Sequence, residues 1–200
     1  MNPLFARVIV TCALSASGQG APEHVESLLY RIASVNTRDA LNAHTVIDAT
    51  LGRRHEAASV SEAAGIARAL VDSGHTVHLG PMGLPPQTRA RYRLSVEQSL
   101  DVCKAVGVAS LELERLVTPS IASRDELLHI ALSAYWSPDD PDDLQAIEWG
   151  ARVLATPTAD IAHLARQAPA GTTPQRREHV PRRRVFFEPG VPTPRKWRRP

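Results

Sequence analysis

The sequence predicts a mainly α fold: a compact bundle of about seven short helices, one strand near the N-terminus, and an extended basic, proline-rich C-terminal arm. Three observations carry this. Apolar residues recur at helical spacing between residues 22 and 168, in segments separated by short breaks rich in Gly, Pro or Ser. Hydrophobic residues are 43% of 200 but aromatics only 4%, so the core is built from Ala, Leu, Val and Ile. Charge is divided: residues 1–165 hold 13 Lys/Arg against 19 Asp/Glu, a net of −6, whereas residues 166–200 hold 10 against 2, a net of +8. Three parts follow: an N-terminal segment 1–20, a helical domain 21–168 and a basic tail 169–200.

Val8, Ile9 and Val10 are β-branched, which predicts a buried strand over 8–14. The same segment, with Arg7 ahead and small residues Ser15 to Gly20 behind, also has the outline of a secretory signal peptide. Leu28, Leu29 and Ile32 share a helical face over 22–34. A second helix is expected from Thr37 to Leu51, with Gly52 at its C′ position. Ser59 and Glu62 have capping-box spacing ahead of Ala63–Val71, and Gly74 closes that helix. His75 to Leu94 is expected as a loop, with a short strand at Thr76–Leu79, because Gly80, Pro81, Gly83, Pro85 and Pro86 crowd it.

Ser95 and Gln98 form a second capping box, opening a helix that Gly107 is expected to end. Its apolar face is Val96, Leu100, Cys103 and Val106. Ser110–Val117 is a short helix stopped by Pro119. Ser123 and Glu126 repeat the capping pattern ahead of Leu127–Trp136, apolar over most of its circumference and hence central. Asp140 and Pro141 open a helix whose stripe is Leu144, Ile147, Ala151 and Leu154. Thr158–Ala168 is the last helical stretch before the arm.

The composition excludes several classes. No apolar run approaches the roughly 20 residues of a bilayer span, so no membrane partner is expected. Two cysteines, Cys12 and Cys103, are too few for a disulfide scaffold or a four-Cys zinc site, and Cys103 reads as a small buried hydrophobe. His75 and His78 read as loop histidines without converging metal ligands. Asp139, Asp140, Asp142 and Asp143 suit a helix N-terminus and lack the pattern of a calcium loop. Gly80-Pro81-Met82-Gly83 has no Lys and is no P-loop, and no nucleophile signature occurs. No metal, no cofactor and no catalytic residues are expected, and an enzyme is the least favoured class.

Arginine is more informative. Arg89, Arg91 and Arg93 alternate, so in an extended stretch they project to one side, where they could meet phosphates. The arm carries Arg182, Arg183 and Arg184, then Arg195, Lys196, Trp197, Arg198 and Arg199. Guanidinium groups pair with phosphate bidentately and an aromatic face stacks on exposed bases. These residues form the candidate nucleic-acid-binding site.

Residues 95–113, SVEQSLDVCKAVGVASLEL, resemble the closing helices of Cro/C1-type helix-turn-helix domains, with Glu62–Gly74 similar to an earlier helix of such a domain. The resemblance covers about a quarter of the chain and places the family's recognition helix near His78–Arg91, where Pro81, Pro85 and Pro86 stand. It implies DNA binding and transcription regulation and carries over no base-contacting residue. The expectation is a cytoplasmic regulatory or accessory protein that binds DNA or RNA. The alternatives are an assembly subunit whose arm docks on an acidic protein partner, and secretion if residues 1–20 are a signal.

Overall fold

The computed structural model describes residues 3–17, 21–38 and 42–157. Among these the order is α1 (Pro3–Ser17), α2 (Glu23–Thr37), β1 (Thr45–Asp48), β2 (Arg53–Glu56), α3 (Val60–Asp72), β3 (Val77–Leu79), α4 (Pro86–Arg91), α5 (Val96–Ser99), α6 (Val102–Leu116), α7 (Pro119–Ala122), α8 (Asp125–Trp136) and α9 (Leu144–Ala155). The arm and Thr158–Ala168 lie outside the described residues. The chain is helix-rich, with one small antiparallel sheet ordered β2-β1-β3. Val46 at the centre faces His55 on one side and Leu79 on the other.

Two expected helical or extended assignments are exchanged. The segment 8–14 is not a strand but part of α1. Ala6, Ile9, Cys12 and Ala13 repeat at helical spacing and are buried, mainly against α6. A continuous helix satisfies the backbone groups of its interior turns locally while burying this seam, and that outweighs the β preference of Val8, Ile9 and Val10. Conversely, 37–51 is not a helix. Thr45, Val46, Ile47 and Asp48 are all buried as the central strand, where β-branched residues pack well. The Asp48 carboxylate accepts from the Leu51 N–H at 3.1 Å, and Gly52 adopts φ +63°, so this glycine turns a hairpin instead of closing a helix.

Local capping is largely as the spacing predicts. Ser59 accepts from the Glu62 N–H, while Glu62 reaches back to the Ala58 N–H. Ser95 and Gln98 make both bonds of the capping box. The box opens only one turn, however. The expected single helix 95–107 is two helices, broken where Asp101 caps the Lys104 N–H. Gly107 lies inside α6, which continues through 110–116, so no separate helix begins at Ser110. The expected Ser123 box is absent: Ser123 Oγ donates to the Ser120 carbonyl and Arg124 occupies the N-cap of α8. α9 starts three residues later than the Asp140-Pro141 pair implies, capped by Asp143. Its buried face is Ala146, Trp149, Gly150 and Val153, whereas Leu144 of the expected stripe is 74% exposed.

The expected loop 75–94 contains β3, as predicted, but also α4. Pro86 stands in the first helical turn, where its missing N–H has no partner to lose. The preceding Gly80–Leu84 turn is fully buried. Gly80 (φ +72°) runs against the Ser99 carbonyl and Gly83 (φ +58°) against the Asn36 amide, leaving no room for a Cβ at either.

Cys103 is not a lone buried thiol. It forms a disulfide with Cys12, joining α1 to α6 across 91 residues of sequence. The main core gathers α1, α2, α6, α8 and α9. A smaller one lies between α3, the sheet and Leu100.

Candidate anion-binding cleft

Where α2 ends, the hairpin and α9 leave an open cleft of about 520 Å³. Its back wall is the indole pair Trp136 and Trp149, stacked at 4.7 Å between ring centroids. Asn36, in the last turn of α2, is buried behind it. Its amide nitrogen donates to the Pro81 carbonyl at 3.2 Å, and its amide oxygen accepts from the Trp149 indole N–H at 3.0 Å. Both ends of that amide are therefore committed to holding the turn and the indole in place.

Charge enters from three elements. Arg38 is the C-cap of α2, Arg54 lies on β2 and Arg152 on α9. Arg54 donates through Nη1 to the Asn36 carbonyl at 3.1 Å and pairs through Nε with Glu56 at 3.4 Å. Burial, and then the neighbouring Arg38 charge, lower the Arg54 pKa against the opposing pull of Glu56. Among the described lining residues Glu148 is the one carboxylate.

The predicted site residues are distributed differently from expectation. Arg89, Arg91 and Arg93 do not form a comb on an extended strand, because α4 coils the first two. Arg89 turns inward, donates to the Val77 carbonyl at 3.2 Å and has its pKa lowered by burial. Arg91 and Arg115 both bond the fully buried Glu112, which also accepts from the Tyr92 hydroxyl. Burial alone would raise the Glu112 pKa; the two guanidinium groups outweigh it and hold the carboxyl below its ordinary value. Arg91 keeps an exposed side chain although it bonds Glu112, and Arg93, also exposed, stands at φ +53°. Arg182–Arg184 and Arg195–Arg199 lie outside the described residues.

His75 lies in the loop between α3 and β3, as expected, whereas His78 stands on β3. His75 Nδ1 is 2.9 Å from Asp48 Oδ2, an acid distant in sequence. His78 is buried on β3 with its ring edge against Trp136 at 4.1 Å, and burial followed by the Arg89 charge lowers its pKa to about 3. Among the described residues no group of three or more His, Cys, Asp or Glu is placed to hold a metal ion.

Sequence reasoning missed Arg38, Arg54 and Arg152. They are 16 and 98 residues apart along the chain, and nothing local marks them as one group. No family model matches the chain, nor does any curated protein or solved structure. Fold and cleft together define a mainly helical chain with a small antiparallel sheet and an arginine-rimmed cleft. No helix among the described residues is long and apolar enough to cross a membrane.

Proposed function

We propose that this chain is a non-catalytic nucleic-acid-binding accessory or regulatory protein that engages the phosphates of DNA or RNA through its basic arm. The observation that carries it is the net +8 of residues 166–200, grouped in runs such as Arg182–Arg184 and Arg195–Arg199 around Trp197. Arg93 adds an exposed cation on the body, whereas Arg89 and Arg91 are taken up by Val77 and Glu112. A helix-turn-helix mode of contact would present α4. With both its arginines engaged, phosphate contact fits this chain better than base reading. Each phosphate neutralised releases counterions, so affinity falls steeply with added salt. The test is an electrophoretic binding series from low to physiological salt, with the full chain and a chain lacking 169–200. The truncated chain should bind at least tenfold more weakly, with a flatter salt dependence; equal binding rejects the arm.

The Cys12–Cys103 disulfide favours a second reading, in which the arm docks on an acidic protein outside the reducing cytosol, because cytosolic thiols are kept reduced. Arg91 and Arg115 closing on Glu112 illustrate the guanidinium–carboxylate chemistry such a contact would use. Co-purification of one stoichiometric acidic protein, free of nucleic acid, would select it.

A further inference from the structure

We propose that the cleft between the end of α2, the β1–β2 hairpin and α9 is a specific site for an oxyanion, a phosphate or carboxylate group of a compact ligand, held by Arg38 and Arg54 with Arg152 at the rim. This goes beyond polyanion binding by the arm and does not depend on it.

The first argument is charge. Among the described residues, three guanidinium groups line the cleft against one carboxylate, Glu148, and Arg54 has a further partner in Glu56. A cation at the C-terminal end of α2 is expected, since the helix end carries roughly half a negative charge. That accounts for one guanidinium, not three. Arg54 already serves the helix end through the Asn36 carbonyl. Arg38 stands close enough to lower the Arg54 pKa in addition to burial, which is the larger cause. Two like charges converge where the helix end needs only one, and an anion between them removes the repulsion.

The second argument is conformation. Arg38 has φ +50° and ψ +46°, the left-handed region. For a residue with a Cβ this region is sterically strained, and glycine is the residue that avoids the strain. An arginine held there brings only its side chain in exchange, and that side chain faces the cleft. Strain of this kind gathers at binding sites.

The third is preorganisation. The committed Asn36 amide and the stacked indoles fix the back wall, so a ligand meets a formed site. Arg54 Nη2 makes no hydrogen bond among the described residues and is left to donate.

The test uses the full chain at constant ionic strength and follows the Trp149 indole N–H by ¹H–¹⁵N NMR, with inorganic phosphate in one arm and citrate in the other. A saturable shift with phosphate alone assigns a phosphorylated ligand, with citrate alone a carboxylate ligand, and with both a site for either oxyanion. Arg38→Gly should weaken binding at least tenfold without lowering the unfolding temperature, because glycine relieves the left-handed strain. Arg93→Gly makes the same backbone change away from the cleft and should leave the affinity unchanged. Arg152→Gln, at an exposed position that folding does not require, should weaken binding severalfold. No saturable shift with either ion, or equal affinity in Arg38→Gly and the unsubstituted chain, overturns the proposal.

Discussion

Asn36 shows how one buried amide ties distant parts together. It links α2 to Trp149 and to the Gly80–Leu84 turn. Asn36→Ala leaves the indole N–H and the Pro81 carbonyl without partners, and should cost about 1–3 kcal/mol in urea unfolding. His78 gives a pH signature. Its folded pKa is about 3 against 6.5 for the free group, so between those values the unfolded chain takes up a proton that the folded chain refuses. Stability is therefore intact above pH 6.5 and falls as pH drops toward 3, by roughly 1.4 kcal/mol per unit within that window. Glu112 adds to this only at lower pH. Its carboxyl is held below 4.5 in the folded state, so its contribution is present above that value and lost as acid protonates it. Unfolding measured from pH 8 to 3 should show the first loss, and His78→Leu should flatten the limb between 6.5 and 4. An unchanged limb in that variant would assign the loss elsewhere.

For a helix, the question is which face is inside. α9 turns Trp149 and Val153 inward and leaves Leu144 in solvent. Val153→Ala should cost about 1–3 kcal/mol by thermal unfolding, and Leu144→Ser should stay within about 0.5 kcal/mol. The reverse ranking would restore the stripe Leu144, Ile147, Ala151, Leu154. α1 poses a sharper case, because its seat on α6 is closed covalently by Cys12–Cys103. A bridge spanning 91 residues removes much of the freedom of the unfolded chain. Reduction under native conditions, or paired Cys12→Ser and Cys103→Ser, should lower stability by about 2–4 kcal/mol. An unfolding temperature indifferent to dithiothreitol would show that α1 adds nothing through this link.

Across the chain, the division into an acidic front and a cationic end was legible because charge is counted without coordinates. The same holds for the Ser59 and Ser95 caps and the buried face of α2. Each depends on residues within three or four positions of one another, where the 3.6-residue period and the spacing of a cap act directly. The cleft was not legible. Its cations come from α2, β2 and α9, and its amide anchor joins Asn36 to a tryptophan 113 residues later. Arg89 and Arg91 misled for the same reason: their alternation signals available guanidinium groups only until Val77 and Glu112 are seen to take them.

Local chemistry thus settled where α2, α3 and α5 start and how charge is apportioned between body and arm, since nearest neighbours govern both. Whether 8–14 coils or extends, whether 45–56 becomes a hairpin, which sulfurs join and which arginines remain available were decided by tertiary packing. Those outcomes turn on burial and on partners brought from far along the chain, and a propensity of a few tenths of a kcal/mol per residue yields to them.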